Sequence, residues 1–290
     1  MSFEIVTDSC CNLTEEMIAE FKLHILPLEF MVDDNQFQSY LKGKHTDLRQ
    51  FYTMMRQGKV ITTSLPNLAD SETLLRQLLA DGKDVLYLGF SSALSGTYVA
   101  IDLLCKELQT EFPQRTIGAV ETLAASGGEG LLVYHAVKQA QSGRSLAEVA
   151  SWVENNRLKL AHWFTVDDLL FLQRGGRVSK VSAYAGTMLN IKPVLHVDNE
   201  GRLIPMEKVR GRKKSLQALV DHLLHDGVQP LENQVIFITH GDCIEDAEYV
   251  ATLIREKIAI KDIMINYVDP VIGAHSGPGT IALFFFANHR

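Results

Sequence analysis

Gly89-Phe90-Ser91-Ser92-Ala93-Leu94-Ser95-Gly96-Thr97 follows a short apolar run, Val85-Leu86-Tyr87-Leu88, and precedes a stretch, 98–112, with the composition of a helix. The run reads as a buried strand. The chain therefore leaves a strand, makes a turn rich in hydroxyls and glycine, and enters a helix. A helix start offers unpaired backbone N–H groups and the positive end of the helix dipole, which suits an anion. Three serines and a threonine surround this one, and the stretch holds no Lys or Arg. That chemistry points to a small or singly charged acidic head group rather than a polyphosphate. The simpler reading is that Ser95 only caps the helix.

A second junction of the same kind lies upstream. Lys59-Val60-Ile61 gives a short strand, Thr62-Thr63-Ser64 a hydroxyl cluster, Leu65-Pro66 a turn, and Asn67 a cap. Ligands of open parallel sheets bind beyond the carboxyl ends of strands. If both strands belong to one sheet, the two junctions face a common crevice. Elsewhere in this half, Phe3-Glu4-Ile5-Val6 reads as a strand, Asn12 with Glu15 fits a capping arrangement, and 24–32 is extended. Thr46 is expected to cap a helix whose Leu48, Phe51, Tyr52 and Met55 form one apolar stripe. Gly127, Gly128 and Gly130 read as a turn into a helix over 131–141. They do not form G-x-G-x-x-G, so close helix–strand packing is expected of them rather than a dinucleotide. Strands alternating with helices imply a doubly wound parallel sheet.

The pattern changes near residue 158. Beyond it, 191–197 and 203–209 read as a hairpin about Asp198-Asn199-Glu200-Gly201, with helices over 216–225 and 247–257 and strands over 235–239, 264–268 and 281–286. The expected architecture is α/β with two domains, 1–158 with a parallel sheet and flanking helices, and 159–290 mixed or antiparallel. A second glycine-rich stretch, Gly273-Ala274-His275-Ser276-Gly277-Pro278-Gly279-Thr280, reads as a loop before the last strand. Its histidine can donate a hydrogen bond to an anion.

Bulk composition narrows the function. With 290 residues, the chain suggests one large or two ordinary domains on a prior of roughly 150 residues each. A hydrophobic content of 46% supports a sizeable core, and a formal charge of −7 disfavours nucleic acid. The four cysteines, Cys10, Cys11, Cys105 and Cys243, form no C-x-x-C pair and fit reduced thiols. The start reads directly as a strand, so no signal peptide is expected. The longest apolar run, 281–287, is too short to span a bilayer. These features point to a soluble, cytoplasmic protein.

Competing chemistries have specific residues. Gly89-Phe90-Ser91-Ser92-Ala93 nearly matches a nucleophile elbow, and Asp242 or Asp269 with His275 would complete the order Ser…Asp…His around Ser91 or Ser95. That is the serine hydrolase alternative. His222 and His225 are spaced for a metal, but no Cys or carboxylate cluster completes the set. The basic run Lys208-Val209-Arg210-Gly211-Arg212-Lys213-Lys214, with Arg174 and Arg177, suits a phosphate or an acidic partner surface, or else a solvated loop.

Taken together, Thr7-Asp8-Ser9, Thr63-Ser64-Leu65-Pro66, Ser91-Ser92-Ala93-Leu94-Ser95-Gly96-Thr97-Tyr98, Gln173-Arg174-Gly175-Gly176-Arg177, Ile191-Lys192-Pro193, Arg210-Gly211-Arg212-Lys213-Lys214 and the Gly273 loop resemble the DegV family of bacterial fatty-acid-binding proteins. The resemblance runs nearly end to end. It implies a non-enzymatic carrier without a cofactor that holds one long-chain fatty acid, such as palmitate, between its domains. It assigns the carboxylate to Thr63 and Ser95, with the Gly96 N–H and His275 as helpers. In some relatives the acyl group is presented to a separate ATP-dependent fatty acid kinase. Arg174, Arg177, Arg210 and Arg212 are then the expected partner contacts. Two positions depart from the family pattern: Leu65 stands where glutamine is expected, and Glu121-Thr122 where an Asp-rich form is expected.

Overall fold

The computed structural model describes residues 3–43, 46–178 and 190–290. The chain begins β1 (Phe3–Asp8), α1 (Glu15–Phe21), β2 (His24–Leu26), β3 (Glu29–Val32), β4 (Asn35–Gln38), α2 (Leu48–Arg56) and β5 (Ile61–Ser64). It continues through α3 (Leu68–Ala80), β6 (Asp84–Gly89), α4 (Thr97–Glu111), β7 (Ile117–Glu121), α5 (Gly127–Gln141) and α6 (Leu146–Asn156). Then follow β8 (Leu160–Thr165), α7 (Leu170–Arg174), β9 (Ile191–Val197), β10 (Leu203–Arg210) and α8 (Arg212–Asp226). The last elements are β11 (Val235–His240), α9 (Ile244–Lys257), β12 (Asp262–Tyr267), α10 (Pro270–Ser276) and β13 (Ile281–Phe286).

The first half builds a parallel sheet in the order β2-β1-β6-β7. Strands covered on both faces read as unbroken apolar runs, which is why Val85-Leu86-Tyr87-Leu88 shows no alternation. On one face Ile5, Leu86, Leu88 and Val120 meet α1, α5 and α6. On the other, Val6, Val85 and Tyr87 meet α3 and α4. The second half builds a mixed sheet of six strands, β10-β9-β8-β13-β11-β12. Helices α8 and α9 cover its outer face. Helix α5 packs on β8, β11 and β13, and its residues share one core with both sheets.

The sequence reading needs correction at several points. β5 does not join the parallel sheet; it pairs antiparallel with β3 in a separate sheet, β4-β3-β5. Its residues alternate between half-buried and exposed, so it cannot sit in a sheet covered on both faces. Asp47, not Thr46, caps α2: it sits at the residue before the first helical turn and its carboxylate accepts from the Gln50 N–H at 2.9 Å. Thr14, not Asn12, caps α1, accepting from Met17. Gly127, Gly128 and Gly130 lie inside the first turn of α5 rather than before it. Residues 270–276 form α10, not a loop, because Asp269 caps them and Pro270 supplies the first helical position. The basic run is divided between the end of β10 and the first turn of α8.

Close packing is confirmed as the use of the α5 glycines. A Cβ at Gly130 would lie 2.2 Å from the Cys11 carbonyl oxygen. Backbone cannot swing aside as a flexible side chain can. Gly130→Ala is therefore expected to destabilise the protein by at least about 1 kcal/mol in urea denaturation, as overpacking does. An unchanged midpoint would contradict the approach.

Three carboxyls, Asp8, Glu129 and Asp269, are buried. Burial raises Asp8 and Asp269 to about 6, against the hydrogen bonds each accepts. Burial, then the Asp8 charge, pushes Glu129 well above its usual range. Thr7 donates to one Glu129 oxygen at 2.8 Å and the other has no partner. A carboxyl whose folded pKa is raised holds a proton that the unfolded chain has released. Its stabilisation is complete below the unfolded pKa and is lost as pH rises through the folded one. Glu129→Gln cannot ionise, so wild type is expected to lose stability relative to this variant as pH rises above about 4.3, the carboxyl pKa of the unfolded chain. A difference in urea midpoint that does not change with pH would contradict a neutral Glu129.

Candidate functional site

Between the two large sheets and the small one lies a cavity of about 310 Å³, mostly apolar. Phe90, Leu94, Phe164, Leu172, Val271 and Phe284 form much of its wall. Thr280, Ala282 and Phe284, on or next to β13, all line it. Ala282 lies opposite Phe164 and Phe284 opposite His162 across the β13–β8 pair. From Thr280 to Phe284 the strand covers roughly 13 Å at about 3.3 Å per residue.

The polar groups converge at the Thr280 end. Thr63 at the end of β5, Ser95 and Gly96 before α4, and His275 in the last turn of α10 all line the cavity. The two hydroxyl junctions thus meet at one cavity although their strands belong to different sheets. The Thr63 hydroxyl and His275 Nε2 are 2.8 Å apart. Burial, aided by the nearby Arg177 charge, lowers the His275 pKa to about 4, so its ring is neutral at pH 7. The Ser95 hydroxyl lies 2.9 Å from that of Thr97 and accepts from the Thr97 N–H. Yet the residue that caps α4 is Gly96, which has no side chain to offer. A 15-residue helix therefore begins at the cavity with no side chain on its capping residue, and Ser95 meets only the Thr97 N–H of its first turn. Gly96 and Ser64 are exposed, so this end reaches the surface.

The opposite end is closed by His162, which sequence reasoning missed. Its one signal was a histidine within the apolar strand Leu160-Ala161-His162-Trp163-Phe164. Nδ1 lies 3.2 Å from the Leu160 carbonyl, and Nε2 accepts weakly from the Ala125 N–H at 3.4 Å. Burial drives its pKa well below the usual value. It is a neutral wall rather than an anion contact.

The expected partner arginines separate. Arg177 lines the cavity and donates from Nε to the Leu94 carbonyl at 3.1 Å. Arg212 is held inside by Asp246 at 2.8 Å and by the Gly279 carbonyl at 2.6 Å. It braces the turn that follows α10, and the carboxylate of Asp246 offsets its place at a helix start. Arg174 is exposed, its guanidinium over the Phe171 ring at 4.9 Å. Arg210 is exposed on the edge strand β10.

The hydrolase constellation is not assembled. Ser91 is buried and donates to the Gly201 carbonyl at 3.0 Å. Asp242 accepts from Arg56 and from the Tyr267 hydroxyl. Asp269 accepts from Asn12, Val271 and Ile272. Each residue is thus engaged elsewhere, and the contact of His275 Nε2 is a threonine. His222 stacks on Trp163 between Glu207 and Asp226. Among the described residues no group of three His, Cys, Asp or Glu is placed to hold a metal, and no helix is long and apolar enough to cross a membrane.

The model of the family described as "Uncharacterised protein, DegV family" matches residues 2–288. A DegV domain-containing protein of Clostridium perfringens is 42% identical over 99% of this chain and 98% of its own. The fold is similar to that of a DegV family protein from Thermus thermophilus described for its fatty acid binding. That structure has TM-score 0.88 and 27% identity, and the match covers 99% of this chain and 100% of that one. It is similar also to DegV of Bacillus subtilis, described as a fatty acid binding protein, with TM-score 0.84 and 25% identity over 99% and 100%.

Proposed function

The chain belongs to the DegV family, and on that premise we propose that it carries one long-chain fatty acid, non-covalently, with the carboxylate held by Thr63 and Ser95. The observation that carries this reading is the polarity gradient of the cavity. Hydroxyls, a helix start and the His275 imidazole converge at the open end, and apart from Ser126, His162 and Arg177 the rest of the lining is apolar. The relatives of known structure described as fatty-acid-binding support the ligand class. In this reading the acyl chain lies between an N-terminal domain, 1–158, and a C-terminal domain, 159–290.

Magnitudes divide the labour. Burying roughly 14 methylenes at about 0.8 kcal/mol each supplies on the order of 11 kcal/mol of gross driving force. Lost translational and rotational freedom consumes about 4 kcal/mol or more of it. The polar end need add little net affinity. Its task is to keep a desolvated carboxylate from lacking partners, which would be very costly. Neutral donors do this without attacking the carboxylate, as suits a carrier that is not an enzyme. The carboxylate at the exposed end is then available for an ATP-dependent kinase to phosphorylate, with Arg174 and Arg210 as the contacts. Four free cysteines, three of them buried, support a reducing, cytoplasmic setting.

A crystal structure with palmitate tests the orientation. The expected result places carboxylate oxygens within hydrogen-bond reach of Thr63 Oγ1 and Ser95 Oγ. A carboxylate beside His162, or no ligand in the cavity, would overturn the assignment.

A further inference from the structure

Asn12 lies far from the cavity in sequence and caps no helix as its side chain was expected to. It is 5% exposed and follows the 3-10 turn Ser9–Cys11 in the left-handed region, at φ 49°. Every hydrogen-bonding capacity of its amide is used. Nδ2 donates to Asp269 Oδ1 at 3.1 Å and to the Ser9 carbonyl at 3.3 Å. Oδ1 accepts from the Ser126 hydroxyl at 2.7 Å and from the Asp269 N–H at 3.4 Å. Its carbonyl accepts from Asn266 Nδ2 at 2.9 Å. One side chain thus ties the end of the β1 segment to the start of α5 and the start of α10.

We propose that Asn12 is a positioning residue for the head-group end, fixing α10 so that His275 meets Thr63. This rests on the carboxylate reading above. A helix of seven residues is too short to hold itself in place by its own hydrogen bonds. Its location is set by its packing against α7, β5 and α2 and by what grips its first turn. Asp269 grips the first turn through the Val271 and Ile272 N–H groups, and Asn12 grips Asp269. His275 stands six residues on, about 9 Å along the axis, so a tilt at the start displaces the ring at the end. Tyr52 braces the preceding strand end, donating to the Val268 carbonyl at 2.9 Å, but it does not touch Asp269 through any hydrogen bond. Removing the amide leaves Asp269 with backbone donors alone and Ser126 with Thr239 as its remaining hydroxyl contact.

The test compares two probes of equal chain length on the full-length protein, palmitate and 1-hexadecanol, in wild type and Asn12→Ala at pH 7.5. A positioning role predicts a loss of about tenfold or more in palmitate affinity, the scale of one hydrogen bond to a charged group, with hexadecanol affinity within about twofold. Equal losses for both probes would mean that Asn12 only supports the fold, and no loss for either would remove it from the site; both results overturn the proposal. Should Asn12→Ala not fold, Asn266→Ala leaves the Asn12 side chain in place and releases its carbonyl together with the Tyr267 N–H. A selective loss of about threefold for palmitate is then expected, and an unselective loss or none overturns the proposal. Wild type that binds neither probe, or prefers the alcohol, would instead sink the carboxylate reading itself.

Discussion

Ala282→Phe is expected to lower palmitate affinity by at least about a hundredfold. Ala282 is buried, lines the cavity, and lies on β13 midway between Thr280 at the polar end and Phe284 at the His162 end. Its methyl faces the path an acyl chain must take. A benzyl group there occupies the space of several methylenes. Excluding four of them removes about 3 kcal/mol of burial, which is roughly two hundredfold in affinity. The empty protein should fold, because the new ring enters a cavity rather than a packed core. Fluorescent-probe displacement by palmitate reads the affinity, and urea denaturation of the ligand-free protein serves as the control. Unchanged affinity would place the acyl chain elsewhere.

Ser95→Ala should cost about 1–3 kcal/mol of palmitate binding, the range for a hydrogen bond to a charged partner. The Ser95 hydroxyl now contacts only the Thr97 hydroxyl and N–H, both two residues away. It holds no distant part of the fold, so the variant should keep its stability. The loss should be larger for ligands with a carboxylate than for hexadecanol. If Ser95→Ala bound palmitate as wild type does, the hydroxyl would be a local turn feature and the carboxylate would lie elsewhere.

Much of this arrangement is legible in the sequence, for identifiable reasons. The strand–turn–helix passage over 85–112 is local: an apolar run, a turn of small polar residues and a helix start each have their own signature. The hairpin of β9 and β10 is legible from Asp198-Asn199-Glu200-Gly201, and the final strand from its unbroken apolar run. What the sequence hides is tertiary choice. Ile61-Thr62-Thr63-Ser64 has the same strand propensity whether it pairs with β6 or with β3. Pairing with β3 is decided by the short β3–β4 hairpin and by the exposure of one face. Asp47 and Thr46 are both good caps, and the backbone geometry of the turn selects between them. Arg177 and Arg212 read as surface charge because their partners, the Leu94 and Gly279 carbonyls, lie 83 and 67 residues away. Asn12 is hidden for the same reason, since its principal partner is Asp269.

Thr63, Ser95, Gly96 and His275 come from three separate regions of the chain, and the fold brings all four to one end of one cavity. Their motifs could be recognised individually, but the polarity gradient could not. It depends on His162, Phe164, Ala282 and Phe284 sharing one face of the six-stranded sheet, with strand alternation turning Trp163 and Leu283 to the other.

The central claim is a non-covalent carrier, and mass spectrometry of the purified protein tests it most directly. The protein is incubated with palmitate, measured under native conditions, then denatured and measured again. One fatty acid per chain in the native spectrum, lost on denaturation, is the expected result. A native spectrum without ligand, or an acyl adduct on Ser91 or Ser95 that survives denaturation, would contradict the carrier.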